Sequence, residues 1–188
     1  MTRGIGGSDA ATELAQLQDM SAGAEPIGDA EFAARLQRAQ QLMQAAGLDA
    51  LYLNAGTNLL YFTGTRWSPS ERMVGALIPA QGEPRYIAPA FELGTLQGFL
   101  RVAGEVHCWE EHESPYRLCA QLLKDMHVTT LGVDESAPFF IVDGLQQAAP
   151  QCRVQSATPI TAGCRMQKSA AELALMQRAN VRNVARVT

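Results

Sequence analysis

A helix that hands over to a strand across a single glycine constrains this chain more than any other feature. From Asp29 onward, Phe32, Leu36, Ala39, Met43 and Ala46 recur at steps of four and three, which draws one apolar stripe along a helix. Asp29 reads as its N-cap, and Glu31 in the first turn suits the positive end of the helix dipole. Gly47 is placed to end the helix in the left-handed conformation. The run Asp49-Ala-Leu-Tyr-Leu-Asn54 follows at once and reads as a core strand. A stripe tied so closely to a strand has to lie on the sheet that the strand joins.

The same grammar predicts the rest. Met73 to Ile78 and Arg85 to Ala88 read as strands joined by Pro79-Ala-Gln-Gly-Glu-Pro84, with Gly82 available for positive φ. Phe91 to Leu100 reads as a helix and Glu105 to Trp109 as a strand. Ser114 and Pro115 stand as N-cap and first residue of a helix carrying Leu118, Leu122 and Met126 on one face. Thr129 to Val133 is a strand, Pro138 to Ala149 a helix and Cys152 to Ala157 a last strand. Strands alternating with helices predict an α/β domain, a layered mixed sheet with helices on both faces, and the short loop after Ile78 requires one antiparallel pair.

The two ends differ from this middle. Residues 1–26 form a glycine-marked lead-in around a short helical stretch from Ala11 to Met20, with Leu14, Leu17 and Met20 at spacing three. Ser169-Ala-Ala-Glu172 is a capping box that opens a helix through Leu173, Met176 and Ala179. No glycine or proline follows before Thr188, which reads either as a chain cut inside a helix or as a terminal helix that frays.

Charge and composition exclude several classes. Fifteen Lys and Arg against nineteen Asp and Glu leave a net charge of −4, a poor match for a phosphate backbone, so no nucleic-acid partner is expected. No apolar run nears the roughly eighteen residues a membrane span needs, so no membrane partner is expected. Met1 to Ala10 lacks an apolar signal core. These features predict a soluble, cytoplasmic protein. Cys108, Cys119, Cys152 and Cys164 are widely spaced with no C-x-x-C pair, and read as small buried hydrophobes in a reducing compartment.

Most catalytic motifs fail on inspection. Gly4-Ile-Gly-Gly7 lacks both the strand and the spacing of a dinucleotide loop. His112-Glu113 begins a zinc-helix motif, but Tyr116 stands where the second His belongs and Pro115 breaks the register. The run His107-Cys-Trp-Glu-Glu-His-Glu113 reads either as a strand end with a solvated acidic turn or as a metal cluster in the loop beyond. Asp134 and Glu135 follow a strand, where α/β sites gather, or else serve as anions at the N-terminus of the helix near Pro138. No nucleophile is set beside a base, so no catalytic residue is assigned in this chain.

Arg35-Leu-Gln-Arg38, Met43-Gln-Ala-Ala-Gly-Leu-Asp-Ala-Leu51 and Asn58-Leu-Leu-Tyr-Phe-Thr-Gly64 stand in one order with Pro84-Arg-Tyr-Ile-Ala-Pro-Ala-Phe-Glu92, Leu131-Gly-Val-Asp-Glu135 and Arg165-Met-Gln-Lys-Ser-Ala-Ala-Glu-Leu173. Together they resemble the N-terminal domain of the creatinase/prolidase family, over residues 29 to 188. The resemblance implies a ribonuclease-H-like α/β domain over 27–162, with 163–188 as a linker and first helix leading into a catalytic domain. It implies that the parent is a Xaa-Pro dipeptidase or aminopeptidase, a metallopeptidase that cleaves the bond before proline with two divalent ions of the Mn, Co or Zn class. Those ions would be held by the catalytic domain, so no cofactor and no metal ligand is assigned to this chain. The implied partners are its own catalytic domain, a second copy in a homodimer and a proline-containing peptide. A stand-alone binding or scaffold domain of the same fold and the N-domain of a creatinase-like amidinohydrolase are the alternatives.

Within the matched region, Asn58 and Thr63-Gly64 read as turn-makers after the first strand, and Tyr61 and Phe62 as packing residues beneath that turn. The loop Thr65-Arg-Trp-Ser-Pro-Ser-Glu-Arg72 holds two guanidinium groups and an indole. Arg66 and Arg72 suit a peptide carboxylate, and Trp67 suits a proline ring. The competing reading is a surface loop with Glu71 paired to Arg66 or Arg72.

Overall fold

The computed structural model describes residues 9–15 and 23–184. The chain divides into two compact units, one spanning Gly28–Gln167 and the other made of the segments outside it.

In the larger unit, α2 (Asp29–Ala46) runs into β1 (Ala50–Asn54) through Gly47, which takes φ 66° as the sequence requires. The N-cap is Gly28 and not Asp29, which becomes the first helical residue and keeps its place at the positive end of the dipole. A second helix, α3 (Thr57–Thr63), stands where turn residues were expected. Seven residues make about two turns, too few for an apolar period to show. Gly64 closes α3 with φ 70°. There a Cβ would also meet Arg101 and Phe32 at 3.0 Å, so the position excludes a side chain on both counts.

Strands β2 (Gly75–Pro79) and β3 (Arg85–Pro89) form the expected hairpin, with Gly82 at φ 103°. After a short 3₁₀ turn at Ala90–Glu92 come α4 (Leu93–Phe99) and β4 (Glu105–Trp109). The Ser114 hydroxyl accepts from the Arg117 amide and caps α5 (Pro115–Asp125). Then follow β5 (Thr130–Val133), α6 (Phe139–Ala148) and β6 (Arg153–Ser156). Helix α7 (Thr158–Arg165) was not foreseen; its Thr-Pro start and small residues carry little apolar pattern.

The six strands form one mixed sheet in the order β4-β3-β2-β1-β5-β6. Strand β2 is antiparallel to both β1 and β3, and every other pairing is parallel. Alternation along the strands builds two cores. Leu51, Leu53, Ala76, Ile78 and Tyr86 face Leu36 and Met43 of α2, Leu59 and Phe62 of α3, Leu96 of α4 and Ile160 of α7. Tyr52, Leu77, Ile87 and Leu131 face Cys119 and Leu122 of α5 and Leu145 of α6. The fold is therefore α/β, a layered mixed sheet with helices on both faces.

The smaller unit holds α1 (Ala10–Ala15), whose Thr12 amide is capped by Asp9, and α8 (Ala170–Val184). The Ser169–Glu172 capping box is formed in both directions, at 2.9 and 3.2 Å. Leu17 and Met20 of the expected lead-in helix lie outside the described residues. Among the described residues no helix is long and apolar enough to cross a membrane.

Candidate functional site

With β2 alone reversed, the carboxyl ends of β1, β3, β4, β5 and β6 share one edge with the start of β2. At such an edge α/β folds gather their functional loops. Two groups of side chains stand there.

The first is the loop from Thr65 to Arg72. Trp67 is half-buried, packed on the α2–α3 core and edge-to-face with Phe99 of α4, centroids 6.4 Å apart. Arg72 turns toward the start of the same segment. Its guanidinium lies 5.4 Å from the Phe91 ring centroid, its Nε donates to Glu111 at 2.8 Å, and its Nη1 pairs with Glu71. The glutamates raise the Arg72 pKa above its ordinary value, Glu111 first. Arg66 is exposed. The structure thus places Trp67 and Arg72 on opposite ends of the 90–99 segment without a common partner among the described residues, and it forms the Glu71–Arg72 pair.

The second group joins segments far apart in sequence. Asn58, at the start of α3, donates through Nδ2 to Glu135 at 3.3 Å and accepts from Arg165 Nη1 at 2.8 Å. Thr161 donates to the other Glu135 oxygen at 2.7 Å, and Arg165 stands 3.7 Å from the first. Burial pushes the Glu135 carboxyl up, but hydrogen bonds from Thr161, its own amide and Asn58, with the Arg165 charge, outweigh burial and hold it below its ordinary value. Its neighbour Asp134 is buried and bonds differently. Oδ2 accepts from the Asn54 amide at 2.6 Å, and Oδ1 accepts from the Ser136 amide and hydroxyl. Asp134 therefore ties β5 to β1 and closes a turn, while Pro138 precedes α6; neither acid serves as that helix's N-terminal anion. Sequence reasoning singled out Glu135 but missed Thr161, and took Asn58 for a turn-maker. Asn58, Glu135 and Arg165 each sit inside one of the matched segments, which was the available signal.

Trp109 and Cys119 are core residues. Trp109 is buried and donates its indole N–H to the Met73 carbonyl at 3.2 Å, so it belongs to the core. Burial pushes the Cys119 thiol up to about 12, the opposite of what a nucleophile needs. Among the described residues no three His, Cys, Asp or Glu side chains converge to hold a metal ion. A two-cation centre does not fit the residues described.

The model of the creatinase/prolidase N-terminal domain matches residues 35–167. The chain belongs to that family. The probable dipeptidase PepE of Mycobacterium tuberculosis is 32% identical over 154 residues, covering 80% of this chain and 40% of the relative. The crystal structure of dipeptidase PepE from Mycobacterium ulcerans superposes with a TM-score of 0.68 at 30% identity, covering 79% of this chain and 40% of that one. The N-terminal domain of Xaa-Pro dipeptidase from Lactobacillus brevis, at 20% identity and a TM-score of 0.61, shares the fold over 71% of this chain and 99% of that one. The chain thus spans 40% of the length of these two PepE dipeptidases.

Proposed function

We propose that this chain is the non-catalytic N-terminal domain of a cytoplasmic, metal-dependent Xaa-Pro peptidase, where it contributes to a homodimer and to the substrate pocket. The observation that carries the reading is the family match over 35–167, joined to relatives named dipeptidases of which this chain spans 40%. In this reading two divalent cations and the hydrolytic chemistry belong to the catalytic part, and the domain supplies binding. A peptide ending in proline offers a carboxylate and a flat apolar ring. The Arg72 guanidinium answers the first and the Trp67 indole the second. Because Nε and Nη1 of Arg72 already hold Glu111 and Glu71, the carboxylate engages Nη2 or displaces the exposed Glu71. Arg66 completes the cationic rim.

The test is hydrolysis of Ala-Pro and Gly-Pro by the complete protein and by residues 1–188 alone. The complete protein is expected to cleave both, with loss of activity on chelation, and 1–188 to be inactive. Trp67→Ala and Arg72→Ala in the complete protein are expected to raise KM by about 1–3 kcal/mol of lost binding with little change in kcat. Chelator-sensitive cleavage by 1–188 alone, or wild-type KM in both variants, would overturn the assignment.

A further inference from the structure

Helix α7 is fastened to α3 at two points one turn apart. Arg165 donates to Asn58 at 2.8 Å, and the Tyr61 hydroxyl donates to the Cys164 carbonyl at 3.0 Å. Glu135, arriving from the end of β5, bridges both helices by accepting from Asn58 and Thr161. The fastening continues into the loop that follows α3. The Pro69 ring lies over Gly56, so close that a Cβ there would stand 3.4 Å from Pro69 Cγ. At the other end of α3, Thr63 Oγ1 donates to the Leu59 carbonyl and accepts from the Thr65 amide, the first residue of the loop.

We propose that Arg165 is a positioning residue for the loop 65–72: by holding Asn58 and Glu135 together it fixes the first turn of α3, and with it the loop that rests on that turn. The same contacts fix the last turn of α7, just before the larger unit ends at Gln167. The loop and the point where the chain leaves this unit therefore move as one body. Nη1 of Arg165 faces both the Asn58 amide oxygen, at 2.8 Å, and the Glu135 carboxylate, at 3.7 Å, and the guanidinium's fixed plane holds that nitrogen in place better than the flexible stem of a lysine would. The coupling stands on geometry alone; its consequence for substrate rests on the function proposed above.

The experiment is amide hydrogen exchange on the intact protein, with the Leu60, Gly64 and Thr65 amides as reporters. The first two donate to the carbonyls of Gly56 and Leu60, and Thr65 donates to Thr63 Oγ1. In Arg165→Ala these amides are expected to exchange at least about tenfold faster, while Met126 and Val128, on the opposite face of the sheet, keep wild-type rates. Arg165→Lys is expected to fall between. Should Arg165→Ala fail to fold, Glu135→Gln carries the test with a smaller rise at the same amides. Faster exchange confined to α7, or spread evenly over the whole unit, would overturn the proposal. The same variants are then assayed on an Xaa-Pro dipeptide, where KM is expected to rise with kcat within about twofold. Faster exchange at Leu60 and Thr65 with unchanged KM would overturn the loop's part in binding and leave the coupling standing. A wild-type protein without peptidase activity would overturn the proposed function, and exchange would still decide the coupling.

Discussion

Arg35 and Tyr61 meet with the guanidinium carbon 4.0 Å from the ring centroid, while Arg35 Nη1 donates to the Tyr61 carbonyl at 2.8 Å. Arg35 is only 8% exposed and also pairs with Glu31 at 3.3 Å, so its charge is solvated by protein on several sides. Removing it takes this donor from the Tyr61 carbonyl and loosens the seam between α2 and α3.

Arg35→Met keeps most of the stem volume and removes the charge and donors. It is expected to destabilise the protein by about 2 kcal/mol, the sum of a charged hydrogen bond and a partly desolvated cation–π contact. Urea denaturation checks this against the exposed Arg38→Met, for which the change is expected to stay within about 0.5 kcal/mol.

Asp49 gives a pH dependence of definite sign. One of its oxygens accepts from the Thr129 hydroxyl and amide and from the Thr130 amide, at 2.7, 2.8 and 2.9 Å, stitching the start of β1 to β5. These bonds, the Thr129 hydroxyl first, hold the carboxyl below its ordinary value. A carboxyl lowered on folding stabilises fully above its unfolded value and loses that contribution as pH falls through the folded one. Stability is therefore expected to decline below about pH 4. Asp49→Asn is expected to cost about 1 kcal/mol at pH 7 and to flatten the acid limb in urea midpoints measured from pH 7 to 3.

The loop residues separate by burial. An exposed loop would make Trp67 and Arg72 equally dispensable for folding, but Trp67 packs on the core against Phe99. Trp67→Ala is expected to lower stability by about 1–2 kcal/mol, part of what a fully buried aromatic costs. Arg72→Ala, losing ion pairs that face water, is expected to change it by less than about 0.5 kcal/mol. Thermal denaturation of both variants checks the difference, and any KM effect of Trp67→Ala has to be read beside its stability.

What was legible follows from the range of the signal. The period of α2, the glycine at its end and the span of β4 from Glu105 to Trp109 are local, and they came out as read. Helices α3 and α7 have seven and eight residues, and Asn58, Thr63 and Gly64 are also turn-formers, so nothing periodic set them apart. Arg35 lies beside Leu36 on the buried face of α2, yet a charged side chain is not counted in an apolar stripe. The Asn58–Glu135–Arg165 group is assembled by the topology: β1 and β5 are sheet neighbours, so the segments that leave their carboxyl ends meet. A resemblance that spans all three segments marks the residues, and only the fold shows that they touch.

The last prediction concerns α8, whose first turn is held by the reciprocal Ser169–Glu172 bonds. Its Leu173 and Met176 are 47% and 48% exposed, so the early part of the helix buries little apolar surface. A helix of fifteen residues is marginal on propensity alone, which leaves the capping box a large share of its local stability. Amides from about Glu172 onward are expected to exchange at free energies well below the global value, by sub-global opening of α8. Ser169→Ala, which removes the hydroxyl acceptor for the Glu172 amide, is expected to speed that exchange by about fivefold, equivalent to about 1 kcal/mol, without shifting the urea midpoint of the larger unit. Protection along α8 equal to that of β1 would show that the helix opens only with the whole protein, and the local account of its stability would fail.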